Sequence, residues 1–167
     1  MKIKLSGLVA DSIVDGPGFR FTIFTQGCPH HCPGCHNPQT HDFEGGRYAD
    51  CDKIIEKIKQ NKLTSGVTFS GGEPFCQPEP CAYTAKKLKS LGYHLMAYTG
   101  YTFEQLMEMS EKDENVKEFL SQLDIIIDGR FFLEQRSLEL RFKGSRNQRT
   151  IDVKESIKQG SAVEVEI

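Results

Sequence analysis

Three of the six cysteines, Cys28, Cys32 and Cys35, lie close together in the stretch TQGCPHHCPGCHNP (25–38). Three residues separate the first pair and two separate the second. The prolines of this stretch and Gly34 disfavour both helix and strand, so we expect the three thiols on one compact loop. Three thiolates on one loop can bind a metal ion or a metal cluster, and two of them can form a redox disulfide.

These three chemistries make different demands on the loop. A structural zinc site needs four ligands, but only Cys32 and Cys35 have knuckle spacing and no second such pair follows. A redox dithiol at Cys32-Pro-Gly-Cys35 leaves Cys28 without a role. A 4Fe-4S cluster would use all three and, since it normally takes four thiolates, would keep one iron open to another molecule. The pattern favours the cluster, with zinc and the dithiol as alternatives. The fourth zinc ligand would have to be His30, His31, His36 or His41.

The composition argues against several other functions. The chain has 167 residues, with 21 Lys and Arg against 23 Asp and Glu, and a net charge of −2. This balance lacks the basic excess that phosphate binding needs, so we expect no nucleic-acid partner. No apolar run approaches the roughly 18 residues of a membrane span, and residues 1–16 do not resemble a signal peptide. We expect no membrane partner and a cytoplasmic location, where the cysteines stay reduced.

Predicted strands and helices alternate around the cysteine loop. The first convincing strand, 19–27, leads directly into the loop. The Ile-rich run at 125–127 is typical of a strand that is buried on both faces of a parallel sheet. From residue 60 onward the β-rich runs recur about every 30 residues, the size of a βαβ unit. These later strands are predicted at 67–70, 94–99 and 124–128.

Helical patterns fill the intervals between these strands. Asp50 or Asp52 is a suitable N-cap for the first helix, whose apolar positions are Ile54, Ile55, Ile58 and Leu63. The second helix is predicted from near Pro80 to just before Gly92. Its apolar positions are Ala82, Ala85, Leu88 and Leu91.

The remaining elements complete an alternating pattern. Thr102 and Gln105 have the spacing of a capping box at the start of a third helix, and 116–123 predicts a fourth. The tail is predicted as weak strands at 149–153 and 162–167. The order predicts an α/β fold with a parallel sheet or part of a barrel, in which sites gather at the carboxyl ends of the strands.

Four motifs in order resemble a known family. The cysteine loop (28–38) lies within the longer string DGPGFRFTIFTQGCPHHCPGCHNP (15–38), and GGEP (71–74) follows the next predicted strand. IDGRF (127–131) and the C-terminal motif, which begins FKGSRNQR and spans 142–153, come later. Together they resemble the radical S-adenosylmethionine (SAM) superfamily. Within it they resemble the glycyl-radical activases, most strongly those of anaerobic ribonucleoside-triphosphate reductase.

The resemblance implies two cofactors. In this family three cysteines bind one 4Fe-4S cluster per chain, and by this match the ligands are Cys28, Cys32 and Cys35. SAM binds the fourth iron through its amino and carboxylate groups. An electron from the cluster then cleaves SAM to methionine and a 5′-deoxyadenosyl radical, which removes a hydrogen atom from a glycine Cα of a partner protein. The cofactors carry this chemistry, so no general base is expected.

The resemblance also implies which residues contact SAM. The segment that receives the SAM ammonium corresponds to Gly71, Gly72, Glu73 and Pro74, where the glycines would let the backbone approach the ligand closely. The stretch whose backbone meets the adenine corresponds to Gly34, Cys35 and His36. Gly34 stands where many members carry an aromatic ring, and the ribonucleotide-reductase branch commonly has glycine there.

A further pair ends the strand at 124–128. Asp128 and Arg130 resemble an Asp-x-Lys pair that lies near the SAM methionyl group in related activases, with Arg in place of Lys. A strand-end salt bridge is the alternative interpretation. Tyr98-Thr99-Gly100 (98–100) is expected to line the pocket, and the turn at 15–18 is expected near its mouth.

Other residues receive simpler interpretations. His30 and His31 are interpreted as solvated loop residues. The C-terminal motif (142–153) either orders the site or docks the partner. The cysteines that match no ligand position are interpreted as free thiols; these are Cys51, Cys76 and Cys81.

The implied architecture is an incomplete radical SAM (β/α) barrel of parallel strands, with about five or six βα units in one domain, 1–167. A full barrel takes about 200 or more residues. The implied partners are the large subunit of anaerobic ribonucleoside-triphosphate reductase, whose glycine loop is the substrate, and a reducing donor such as flavodoxin. One alternative is activation of pyruvate formate-lyase or another glycyl radical enzyme. Another is a non-catalytic zinc or iron–sulfur module.

Overall fold

A seven-stranded sheet runs through the computed structural model, which describes residues 1–167. The strands are β1 (Lys2–Ser12), β2 (Arg20–Thr25), β3 (Arg47–Asp50), β4 (Gly66–Gly71), β5 (His94–Tyr98), β6 (Ile125–Asp128) and β7 (Arg149–Asp152). Their order across the sheet is β3-β1-β2-β4-β5-β6-β7. The edge strands β3 and β7 do not pair with each other, so the sheet is open.

The middle of the sheet is parallel and its margins are antiparallel. Strands β2, β4, β5 and β6 pair in parallel. Strands β1, β3 and β7 pair antiparallel with their neighbours. The predicted α/β fold is confirmed, but four parallel strands replace the expected five or six βα units. Strands β1 and β3 were not predicted: the alternation at the start of β1 is short and is interrupted at Ser6 and Gly7, and β3 has no apolar run.

Five helices accompany the sheet. They are α1 (Cys51–Gln60), α2 (Pro78–Ser90), α3 (Phe103–Lys112), α4 (Glu114–Gln122) and α5 (Val153–Gln159). The Thr102–Gln105 capping box of α3 is confirmed. Leu63 and Leu91 were wrongly assigned to apolar helix faces: both lie beyond the helix ends and are 69% and 49% exposed. None of the five helices has the length and apolar character needed to cross a bilayer.

The predicted tail strands are only partly correct. Strand β7 matches the first of them, but α5 begins directly after it, with the Asp152 carboxylate accepting a hydrogen bond from the Glu155 N–H. The second predicted strand (162–167) forms only an isolated bridge between Glu164 and Ile151. The alternation predicted a strand up to residue 153, but Asp152 caps a helix that begins at Val153 and so ends β7.

The two faces of the sheet differ in chemistry. One face packs under the helices in a single apolar core, which includes Phe21, Ile23, Phe69, Leu95 and Ile126. Because side chains alternate along a strand, the intervening residues face the other side. Several of these are polar and buried: Arg20, Thr22, Thr68 and Ser70. This second side, the inner face, is thus polar on β2 and β4, whereas on β5 and β6 it carries a small apolar cluster of Met96, Ile125 and Ile127. It leads to the carboxyl ends of the parallel strands.

Candidate cofactor site

A cleft of about 820 Å³ lies at the carboxyl ends of the parallel strands. Its volume is within the roughly 300–1,000 Å³ typical of small-molecule sites. Of the predicted site residues, those that line it are Cys28, Cys32, Cys35, His36, Gly71, Gly72 and Arg130, together with Tyr98, Thr99 and Gly100. Gly34, Glu73, Pro74 and Asp128 are not among its lining residues. The fold therefore brings together the ends of four strands and the three thiols of the cysteine loop.

The cysteine loop is anchored where it leaves β2. The Gly27 N–H donates to the Thr40 carbonyl at 2.7 Å, and the Cys28 N–H donates to the His41 carbonyl at 3.2 Å. Cys28 is buried, whereas Cys32 and Cys35 are half-buried. Burial raises the pKa of the Cys28 thiol to about 11, although the backbone N–H groups of His30 and His31 act in the opposite direction and favour the thiolate. Cys28 must therefore lose a proton when it becomes a ligand.

The donor chemistry of the cleft fits an iron–sulfur cluster. Three thiols on one loop line a cleft that also has room for a small molecule. No three His, Cys, Asp or Glu side chains are gathered closely enough to hold a single metal ion. Of the other cysteines, Cys51 and Cys81 are buried and Cys76 is exposed, and none of them lines the cleft or forms a disulfide.

Gly71, the last residue of β4, and Gly72 directly after it let the strand ends approach each other. A Cβ at Gly71 would lie 2.5 Å from the backbone N and O of Thr25, and a Cβ at Gly72 would lie 2.3 Å from the Gly27 carbonyl oxygen. The Gly72 N–H donates to the Thr25 carbonyl at 2.8 Å. These glycines are thus required by the packing of one loop against another, in addition to any approach by a ligand.

Glu73 is buried behind the cleft wall. Its carboxylate is fully buried and accepts hydrogen bonds from the Thr99 hydroxyl at 2.9 and 3.0 Å and from the Gly100 N–H at 2.8 Å. It also pairs with His30 Nε2 at 2.6 Å. The His30 side chain is only 4% exposed, so its interpretation as a solvated residue was wrong. His31 is exposed, as expected.

Asp128 and Arg130 lie in different environments. Asp128 is 1% exposed and accepts hydrogen bonds from the Phe103 N–H and from Arg149 Nε and Nη2. The strand-end salt bridge therefore exists, but with Arg149. This contact raises the pKa of Arg149, with a further contribution from Glu104. Arg130 is separate from this pair and lines the cleft.

The C-terminal motif orders the backbone beside the cleft. Gln148 Nε2 donates to the Gly129 carbonyl at 3.0 Å, and Asn147 Nδ2 donates to the Arg130 carbonyl at 2.7 Å. The Gln148 side-chain oxygen accepts from the Gly144 N–H at 2.9 Å. Of the two roles considered for this motif, the structure supports the ordering of the site.

Sequence reasoning missed a polar network beneath the cleft. The Asp15 carboxylate lines the cleft and accepts from Ser12 at 2.5 Å and Thr22 at 3.0 Å. Arg20 is 1% exposed, and its guanidinium donates to Thr68 Oγ1 at 2.7 Å and to the carbonyls of residues 17, 67 and 94. Burial lowers the pKa of Arg20 to about 10. The alternation of polar and apolar residues in β2 was the available signal.

Comparisons of sequence show clear relatives. The family described as a 4Fe-4S single cluster domain matches residues 14–151. An anaerobic ribonucleoside-triphosphate reductase-activating protein of Vibrio cholerae is 33% identical over 144 residues, 81% of this chain and 89% of the relative. Its counterpart in Haemophilus influenzae is 31% identical with the same coverage. A pyruvate formate-lyase-activating enzyme of Clostridium pasteurianum is 32% identical over 130 residues, 74% of this chain and 50% of the relative.

A solved structure shares the fold. QueE from Escherichia coli superposes with a TM-score of 0.51 and 18% sequence identity. The match covers 61% of this chain and 54% of QueE. At this identity the likeness concerns the fold alone, and it agrees with a mostly parallel α/β sheet.

Proposed function

The chain belongs to the 4Fe-4S single cluster domain family and, within it, to the anaerobic ribonucleoside-triphosphate reductase-activating proteins, and on that premise we propose how its cleft serves their activity. It is a radical SAM activase with a 4Fe-4S cluster and SAM as cofactors. The predicted cofactors, a 4Fe-4S cluster and SAM, are thus confirmed, and we propose that the cysteine loop holds the cluster. One observation carries the proposal: the three loop thiols and the glycines that end β4 line the same cleft.

Each part of the cleft has a distinct task in this proposal. Cys28, Cys32 and Cys35 hold the cluster. When bound, the cluster and SAM supply the radical that removes a hydrogen atom from a glycine Cα of the reductase. The backbone carbonyl groups at Gly71 and Gly72 would accept hydrogen bonds from the ammonium of SAM.

The remaining predicted residues act on SAM or support those that do. We assign the adenine contact to the backbone of Gly34, Cys35 and His36. Arg130 lines the cleft and suits the SAM carboxylate, since a guanidinium can bind a carboxylate bidentately. Three residues lie behind the wall and shape the segments that carry these contacts: Glu73, Pro74 and Asp128.

The partner is the large subunit of the anaerobic reductase, and its glycine loop is the substrate. We propose that the open sheet is an incomplete radical SAM barrel, formed by residues 1–167 as one domain, whose open side admits this loop. A reduced donor such as flavodoxin supplies the electron. The reduced thiols that cluster binding needs favour a cytoplasmic location.

The decisive experiment is anaerobic reconstitution, followed by iron and sulfide analysis and by an assay of SAM cleavage with a chemical reductant. We expect one 4Fe-4S cluster per chain and the formation of 5′-deoxyadenosine. Cys32→Ala should take up no stable cluster and form no product. Cys76→Ala should match the wild type, because this exposed thiol does not line the cleft. A wild-type protein that binds the cluster but forms no 5′-deoxyadenosine would contradict the proposal.

A second candidate substrate is pyruvate formate-lyase, because one of the relatives activates that enzyme. The chain spans only half the length of that relative, compared with 89% of the reductase-activating proteins. We therefore expect a glycyl-radical EPR signal with the anaerobic reductase. A signal with pyruvate formate-lyase alone would reverse this choice.

A further inference from the structure

We propose that His30 is a positioning residue, whose side chain locks the cysteine loop onto the ends of β4 and β5 through the buried carboxylate of Glu73. Its relevance to a cluster rests on the proposed function, whereas the contact itself does not. His30 lies between two of the proposed ligands, Cys28 and Cys32. A contact that fixes the His30 side chain therefore also restrains the backbone positions of Cys28 and Cys32.

Three contacts hold the His30 ring. Nε2 lies 2.6 Å from Glu73 Oε1. The His30 and Tyr101 rings make a T-shaped contact with a centroid distance of 4.6 Å. The ring also packs on Gly100 so closely that a Cβ there would lie 2.4 Å from His30 Cδ2. The imidazole is thus enclosed by residues that follow β4 and β5, and it is almost fully removed from solvent.

Glu73 connects this contact to the rest of the cleft. The same carboxylate accepts from the Thr99 hydroxyl and from the Gly100 N–H, and both of these residues line the cleft. Its other oxygen accepts from the Phe75 N–H at 3.1 Å. One buried carboxylate therefore joins the cysteine loop, the end of β4 and the end of β5. It fixes the distance between the thiols and the glycine segment.

The contact between His30 and Glu73 should also affect the reduction potential of the cluster, through the backbone N–H groups near the Cys28 sulfur. The backbone N–H groups of His30 and His31 lower the pKa of the Cys28 thiol, against the larger effect of burial, and so favour negative charge on its sulfur. Hydrogen bonds to ligand sulfurs help to set the reduction potential of an iron–sulfur cluster. Loss of the side-chain anchor would let these N–H groups move away from the sulfur. Since N–H donors favour the more negative, reduced state, the potential should then fall.

The test compares replacements at two adjacent histidines. His30→Ala removes the anchor, and His30→Asn keeps a polar side chain that is too short to reach Glu73. His30→Gln is the conservative rescue, because its amide N–H₂ can donate to the carboxylate. His31→Asn is the matched control, since His31 is exposed and has a positive φ of 48°, which asparagine tolerates.

Each variant is reconstituted anaerobically, and three quantities are measured: the rate of cluster loss to a chelator, the reduction potential, and amide hydrogen exchange of residues 28–32 in the cluster-free protein. We expect His30→Ala and His30→Asn to lose the cluster about tenfold faster, with a lower potential and faster exchange. His30→Gln should lie near the wild type, and His31→Asn should equal it.

Several results would overturn the inference. One is cluster loss at the wild-type rate in both His30→Ala and His30→Asn. Another is faster loss with an unchanged potential, which would restrict His30 to a role in the fold. A wild-type protein that takes up no cluster would instead overturn the proposed function and remove the cluster role of His30 with it. Hydrogen exchange in the cluster-free protein would still report on the contact with Glu73.

Discussion

At the scale of single residues, Asp128 shows how a buried charge is held beside the cleft. Its carboxylate is 1% exposed and receives two hydrogen bonds from Arg149 and one from the Phe103 N–H. The Arg149 side chain is 28% exposed, so the pair is partly screened by solvent. Removal of the arginine would leave a buried negative charge with a single N–H donor, which is far more costly than the loss of a surface ion pair.

We therefore expect Arg149→Met to lower the free energy of unfolding by about 3 kcal/mol, as measured by urea denaturation at neutral pH. Arg146→Met is the control, because Arg146 is exposed and its side chain makes no hydrogen bond. It should change the stability by less than about 0.5 kcal/mol. Equal losses in the two variants would mean that Arg149 does not compensate Asp128.

The residues of the site differ in how far the sequence could predict them. The cysteine spacing is local, so Cys28, Cys32 and Cys35 could be identified as one group before the fold was known. The contact of His30 with Glu73 joins positions 43 residues apart and depends on how two strand ends pack. No local pattern encodes that distance, which is why His30 was assigned to solvent.

At the scale of elements, the end of β4 meets the loop after β2 without room for a side chain. Gly71 has a φ of +92°, and a Cβ there would overlap the backbone of Thr25. Gly92 has the same φ of +92°, but a Cβ there would meet nothing within 4 Å. Alanine substitutions at these two glycines therefore distinguish two effects on stability. Both add the strain of a positive φ, but only the substitution at Gly71 adds a clash with neighbouring backbone atoms.

Gly92→Ala should lower the free energy of unfolding by about 1 kcal/mol, since only left-handed strain is added. Gly71→Ala should lower it by about 3 kcal/mol or more, because the same strain is joined by a clash of backbone atoms. Urea denaturation of both variants measures the difference. Equal losses of stability in the two variants would mean that the end of β4 can move away from Thr25 at no cost, which would contradict the close packing described above.

Buried elements could be predicted better than exposed ones. Strands β5 and β6 have apolar runs, and strands β2 and β4 are buried at almost every position, since helices cover one face and most residues of the inner face are also buried. Strand β1 alternates between buried and exposed positions, contains Gly7 and pairs antiparallel with two neighbours. Its place is set by those neighbours. Leu63 and Leu91 continue a helical period beyond the last helical residue, so periodicity alone overextended both helices.

At the scale of the whole molecule, an ion pair links the helical layer to the sheet. The Asp124 carboxylate accepts from Lys89 in α2 and from the Leu95 N–H in β5 at 2.9 Å. Burial alone would raise the pKa of Asp124, but these two donors outweigh it, and the pKa is lowered. A carboxyl whose pKa is lower in the folded state contributes stability above its unfolded pKa, and that stability is lost as the pH falls through the folded-state pKa.

We expect the free energy of unfolding to decrease below about pH 4, near the unfolded pKa of an aspartate. Asp124→Asn should be less stable than the wild type at pH 7, and the difference should shrink as the pH falls. Urea denaturation at a series of pH values tests this. A difference that stayed constant down to about pH 2 would show that the ionised carboxylate is not the source of the stability.

The loop between β1 and β2 limits the routes by which small molecules can reach the cleft. The Asp15 carbonyl accepts from Thr68 at 2.8 Å, and Gly16 packs against Met96 and Arg20, so this loop covers the amino-terminal half of the inner face. Small molecules would then reach the cleft from the carboxyl edge or from the open side of the sheet. A protein that docks over the carboxyl edge and the open side would block the exchange of small molecules between the cleft and the solvent. SAM would have to bind before this protein docks, and methionine and 5′-deoxyadenosine could leave only after it dissociates.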